Sequence, residues 1–307
     1  MVLNLLAGTS GFSYDEWKGS FYPADLPASE MLRFYATRLP TVEVNNTFYR
    51  MPKPAVLDEW SLATPDEFRF ALKASRRITH LGKLRNVADS VEYLLKVSSA
   101  LGDKLGALLF QLPPFLRRDS TLLEEFLALL PAGCPAALEF RHASWFDDAV
   151  YQALSARNVA LVGGEPEEGD APPFVATADW AYLRLRAEEY SGAAIEEWCA
   201  RLSEQRLERA YVFFKHETKG PEYAGLLNQI ARGPGLAKAT PVPPKIDAPG
   251  LAATRPAATR ERRSAKKRGS ARLNPAARAR GSAARRSCPA GGARGQCVAL
   301  RSRRPSA

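Results

Sequence analysis

Leu138-Glu139-Phe140-Arg141-His142 is the stretch that decides how this chain is read. It opens like a buried strand and ends in charge. A strand covered on both faces is almost continuously apolar, and a carboxylate or guanidinium inside one is costly without a partner. The pattern recurs in Val42-Glu43-Val44-Asn45, Phe70-Ala71-Leu72-Lys73, Leu108-Leu109-Phe110-Gln111, Leu183-Arg184-Leu185-Arg186 and Phe213-Phe214-Lys215. One charged strand end is explained by a single ion pair. Repeated at matching strand ends, the pattern describes the wall of a site.

Working outward, strands are predicted over Leu5–Phe12, Thr41–Phe48, Arg69–Ser75, Gly106–Pro113, Ala136–His142, Val159–Gly163, Tyr182–Arg186 and Ala210–His216. Helical spacing fills Ser29–Leu39, Ala55–Ala63, Ala88–Leu101, Thr121–Leu130, Ala149–Arg157, Ala193–Gln205 and Tyr223–Ala231. Thr121 and Glu124 have capping-box spacing, with Asp119 or Ser120 as alternative caps. Pro65, Pro113-Pro114 and Pro172-Pro173 punctuate loops, because proline continues neither a helix nor a central strand ladder. Strand–helix alternation implies right-handed crossovers and a parallel sheet. The expected fold is therefore α/β, a closed (β/α)8 TIM-like barrel, with a doubly wound open sheet as the rival architecture. The link from Glu165 to Trp180 has no clear helix. In a barrel, alternate side chains point inward, and Glu43 with Asn45, Glu139 with Arg141, and Arg184 with Arg186 each share a parity. The charged strand ends should thus converge on the C-terminal mouth, where barrel active sites lie.

Composition cuts the chain in two. Pro234 to Ala307 holds 18 Lys+Arg against 2 Asp+Glu, a net +16; the whole chain is +10, which leaves −6 for residues 1–233. The basic character belongs to the tail. With so few apolar groups to offset its ordering entropy, residues 234–307 are expected to be a disordered Ala/Arg/Pro/Gly-rich tail, and residues 1–233 the barrel domain. Cys134, Cys199, Cys288 and Cys297 form no C-x-x-C pair, poor material for a disulfide framework or a zinc site. The first residues lack the basic region of a signal peptide, and no apolar run is long enough to span a bilayer. These features lead to the expectation of a cytoplasmic protein without membrane attachment.

Gly8-Thr-Ser-Gly-Phe-Ser-Tyr14 and Trp17-Lys-Gly-Ser-Phe-Tyr-Pro23 open a series of motifs. It continues with Thr41-Val-Glu-Val-Asn-Asn-Thr-Phe-Tyr49, Phe70-Ala-Leu-Lys-Ala74 with Ile78-Thr-His80, Leu105-Gly-Ala-Leu-Leu-Phe-Gln-Leu-Pro-Pro114, and Leu138-Glu-Phe-Arg-His142 with Trp145-Phe146. In this order they resemble the domain-of-unknown-function-72 (YecE-like) family, from about Leu6 to Arg232. The resemblance implies a (β/α)8 barrel and no settled activity. Two stretches depart from it. Tyr182-Leu-Arg-Leu-Arg-Ala187 keeps Arg184 where the family has Tyr-x-Arg-x-His-Gly but lacks the His-Gly pair, and the last strand ends in Lys215-His216 where Asn-rich residues are commoner. The basic tail is not part of the family pattern.

Glu43 and Glu139 face four cations, Lys73, Arg141, Arg184 and Lys215, an excess that favours a small anionic ligand, with Arg supplying bidentate contacts. The reading is an enzyme acting on a small phosphorylated or sugar-like anion, as a hydrolase, lyase or isomerase with no class assigned. Glu43, Lys73, Glu139 and Arg141 are its catalytic candidates. Lys73 would be a base or amine nucleophile, and the carboxyls an acid/base pair in which one is held protonated by the other. Asn45, Gln111, Arg184 and Lys215 would orient the ligand. Tyr14, Trp17 and Trp145, with His80 and His142, would border it, the aromatics forming a platform or merely packing a loop lid. A self-satisfied ion-pair network closing the barrel is the bland alternative. No cofactor is expected; His80, His142 and His216 leave room for a divalent metal but lack ligand spacing. The rival function is a non-catalytic nucleic-acid or nucleotide binder. Its tail, with Arg260-Glu-Arg-Arg-Ser-Ala-Lys-Lys-Arg268, would add non-specific polyanion contacts or be a solvated appendage.

Overall fold

Eight strands pair in chain order and close on themselves in the computed structural model, which describes residues 3–165 and 171–233. They are β1 (Asn4–Ser10), β2 (Thr41–Val44), β3 (Arg69–Lys73), β4 (Leu105–Gln111), β5 (Ala136–Glu139), β6 (Ala160–Gly164), β7 (Trp180–Leu185) and β8 (Arg209–Phe214). All neighbours are parallel, and β1 closes the ring on β8 from Asn4↔Arg209 to Thr9↔Phe214. No strand has an open edge, so the closed barrel holds and the open doubly wound sheet does not. The expectations for residues 234–307 lie outside the described residues.

Seven α-helices lie among the described residues: α1 (Met31–Ala36), α2 (Pro54–Leu62), α3 (Ala88–Ser98), α4 (Ser120–Ala128), α5 (Asp148–Ser155), α6 (Gly192–Ser203) and α7 (Gly220–Arg232). Five of their starts follow from short polar side chains or proline. Asp119 caps α4 by accepting from the Leu122 amide, Asp147 caps α5 and Ser191 caps α6. Pro54 and Pro221 sit in the first turns of α2 and α7, where the missing N–H costs nothing.

Between β6 and β7 no helix covers the sheet among the described residues; the chain itself does. The buried Thr177 hydroxyl donates to Val159 O and accepts from Leu161 N, both at 2.8 Å, acting as a backbone surrogate beside β6. Phe174 lies on the outer face of β6 over Gly163, where a Cβ would come within 3.1 Å of the ring.

Two apolar layers follow from the period-2 alternation. Outward residues such as Val42, Leu72, Phe110 and Leu138 join the helices. Inward, Ala71, Ala107, Leu109, Ala137, Ala160 and Val162 face Trp180, Tyr182, Tyr211 and Phe213. Small side chains on β3–β6 leave the space that four aromatics on β7 and β8 fill. The barrel is thus plugged below its mouth, and the polar strand ends stand on that plug.

Candidate functional site

Glu43, Glu139 and Arg184 meet at the C-terminal end of the barrel, all buried. Arg184 reaches from β7 with both terminal nitrogens: Nη2 lies 2.8 Å from Glu43 Oε1 and Nη1 lies 2.7 Å from Glu139 Oε2. The planar guanidinium makes this fork, which a lysine could not. Ser10 Oγ at 2.7 Å and Asn45 Nδ2 at 3.0 Å also donate to Glu43 Oε1, and the Tyr182 hydroxyl donates to Oε2 at 2.7 Å. Gln111 Nε2 donates to both Glu139 oxygens at 2.9 Å. Arg141 Nε stands 3.4 Å and Arg186 Nη2 3.8 Å from Glu139 Oε1.

This arrangement fixes protonation. Burial by itself would raise the Glu43 carboxyl, but the Arg184 charge and the donors Tyr182 and Ser10 outweigh it and hold it at about 2. Burial opposes ionisation of Glu139 too, and Arg184, Arg186, Arg141 and Gln111 together draw it below the ordinary carboxylate range. The expectation that one carboxyl holds the other protonated is therefore corrected: Arg184 stands between them and both are ionised. As a carboxylate pair they accept the hydrogen bonds of Arg184 and its neighbours.

A second group adjoins the first. Lys73, at the end of β3, is half-buried with its Nζ 4.5 Å from the Phe48 ring centroid. Among the described residues its amine makes no hydrogen bond or ion pair. Burial and the Arg184 charge, offset in part by Glu43 and Glu139, bring its amine down to about 8. His80 lies edge-on to Phe48, ring centroids 4.9 Å apart, with Nδ1 2.9 Å from Thr79 Oγ1. Burial and the Lys73 charge lower its pKa, favouring the neutral ring. His80 belongs to a π-helical turn, Arg77–Leu81, a geometry common at functional sites. Tyr14 donates to Ser10 O at 2.6 Å, and its hydroxyl is raised by burial and by the Glu43 charge.

Other candidates are placed elsewhere. Trp145 is fully buried, stacked on Phe140 at 4.6 Å and donating to Leu116 O. Trp17 is buried among Tyr14, Phe21 and Tyr22 and donates to Glu217 O. Both indoles pack loops. His142 caps its own turn by accepting from Ser144 N, and His216 does the same for Thr218 and Lys219. Lys215 is exposed at the rim. No cluster of three or more His, Cys, Asp or Glu suited to a metal exists among the described residues.

Residues the sequence reading passed over complete the network. Ser10 and Tyr182 are inward hydroxyls whose only signal was shared parity with Gly8 and Arg184. Glu165, just after β6, accepts from the amides of Arg186 and Ala187 and from the Tyr190 hydroxyl, tying the β7 loop to β6.

Comparison with known proteins agrees with this architecture. YecE of Escherichia coli K12 is 37% identical over 116 residues, which cover 38% of this chain and 43% of YecE's own length. YunF of Bacillus subtilis is 26% identical over 242 residues, covering 66% of this chain and 86% of YunF. A crystal structure of a DUF72 family protein from Thermotoga maritima superposes with a TM-score of 0.63 at 24% identity, over 75% of this chain and 99% of that one. No helix among the described residues is long and apolar enough to cross a membrane. With a family model matching residues 6–246, the chain belongs to the family described as "Protein of unknown function DUF72".

Proposed function

We propose that the barrel is an enzyme acting on a small anionic molecule, phosphorylated or sugar-like, at its C-terminal mouth. One observation carries this reading: among the described residues the Lys73 amine has no carboxylate partner, while the two buried carboxylates beside it are taken up by arginines and neutral donors. A network built only to close the barrel would have absorbed this cation. Glu43 and Glu139 act by holding Arg184 in place, and Arg141 supplies positive charge that is still 18% exposed to an incoming anion. Lys73 serves as base or amine nucleophile, roles that a lowered amine pKa suits. A thermal-shift screen of the full chain against phosphate esters, sugar acids and simple carboxylates tests this. A ligand well above its dissociation constant stabilises by about 2–4 kcal/mol. The shift should vanish in a Lys73→Ala, Arg141→Ala double variant; an equal shift there, or none with any anion, overturns the reading.

A second reading, a nucleic-acid binder, draws on another feature. The loops after β2, β3 and β4 expose Arg50, Arg76, Arg77, Lys83, Arg117 and Arg118, with Tyr49 72% and Phe115 64% exposed among them. Basic groups interleaved with aromatics suit single strands. Affinity for a short single-stranded oligonucleotide that survives loss of these arginines would assign the binding to the tail.

A further inference from the structure

Lys73 is set apart from the other cations of the mouth by what it touches. Arg184 grips two carboxylates, and Arg141 and Arg186 approach one of them. The Lys73 amine instead rests on the face of Phe48, above a strand whose inward residue two positions earlier is Ala71. Ring and amine are held as one unit: the Thr47 hydroxyl, next to Phe48, donates to the carbonyl of Lys73 at 2.7 Å and to that of Val44 at 3.0 Å. His80 packs against the same ring at a near-perpendicular angle. A lysine locked into an ion pair keeps its proton and cannot attack. One seated on a hydrocarbon wall, with guanidinium charge nearby, is held ready to lose it.

We infer that Lys73 captures an anionic aldehyde or ketone as an imine, the carboxylate or phosphate of the ligand being met by the arginine charge of the mouth. This rests on the anion-binding reading above and names the substrate class for it. The Nζ lone pair attacks the carbonyl carbon and a C–N bond forms. The carbonyl oxygen then leaves as water with the two protons that nitrogen gives up, and the C=N bond takes its place. Nothing is oxidised or reduced. The amine pKa of about 8 leaves a usable neutral fraction near physiological pH.

The test is reductive trapping on the full chain. Pyruvate and dihydroxyacetone phosphate serve as probes, cyanoborohydride as the trap, and peptide mass mapping as the readout. At pH 8 Lys73 should be labelled about tenfold or more above exposed lysines such as Lys53 or Lys96. Lys73→Arg, checked for native circular dichroism, should lose that adduct and leave the background unchanged. Labelling spread evenly over lysines, or no adduct, overturns the imine. Lactate and glycerol 3-phosphate, which lack the carbonyl, separate the two proposals. If they raise the melting temperature while the keto probes form no adduct, the anion site stands and the imine fails; if neither set binds, both fail.

Discussion

Arg184 and Glu43 are separated by 141 residues and meet at 2.8 Å with both side chains shut off from water. The contact joins β7 to β2 across the barrel, and the second arm of the same guanidinium holds β5 through Glu139. Removing Arg184 would leave Glu43 buried with only neutral donors, and Glu139 with Gln111 and the more distant Arg141 and Arg186. Arg184→Met is expected to cost about 3–5 kcal/mol in urea unfolding. Arg184→Lys should recover only part of it, because an ammonium cannot serve both carboxylates in the fork geometry. A Met variant as stable as wild type would mean that the network contributes nothing net to the fold.

The same pair sets the acid limit. Glu43 is held at about 2 when folded, against an ordinary value of 4.5, so the unfolded chain binds more protons between those limits. Stability from this group is full above pH 4.5 and lost as pH falls toward 2, and Glu139 acts in the same direction. Glu43→Gln should flatten the fall in unfolding free energy across this window. Tyr182→Phe, which deletes one donor to Glu43, should move the fall to higher pH. Unchanged profiles in denaturant titrations between pH 2 and 5 would exclude this linkage.

Much of this was legible in the sequence because strand parity is strict. Glu43, Asn45, Glu139, Arg141 and Arg184 could be assigned to one mouth from the alternation of apolar and polar residues, and Gln111 from its place at the end of its run. Strand ends were read too far along, since Asn45 already leaves the extended region at φ −89°, ψ −23° and opens the turn that carries Phe48. What parity cannot give is partnership. Nothing in the sequence says that Arg184 lies between the two glutamates, and that position decides their protonation. Ser10 and Tyr182 stayed hidden because neither interrupts an apolar run as a charge does. Trp17 and Trp145 stayed ambiguous for the opposite reason: an indole after a strand end reads equally well as a platform or as packing.

Trp145 separates those two roles. With its ring fully buried against Phe140, Trp145→Ala opens a cavity worth about 3–5 kcal/mol of stability. Trp145→Phe should cost less, keeping most of the stack while losing the 2.7 Å bond to Leu116 O. Neither should change the dissociation constant of an anion at the mouth, measured by calorimetry below the variants' melting range. A selective loss of affinity with stability intact would return the indole to the site.

Lys73 makes the opposite prediction on the alkaline side. Its folded pKa of about 8 lies below the ordinary 10.5, so between those values the folded chain has shed a proton that the unfolded chain still holds. Below pH 8 the fold carries the full cost of burying the ammonium; as pH climbs toward 10.5 that cost disappears and stability rises. Lys73→Met should therefore be as stable as wild type or more so at pH 7, and the difference should shrink through the window as wild type recovers. A residue kept for packing would show a destabilised Met variant at every pH. A pH-dependent cost confined to the native lysine would show that burial of the ammonium opposes folding. Paired urea titrations at pH 7 and pH 10 decide between the two.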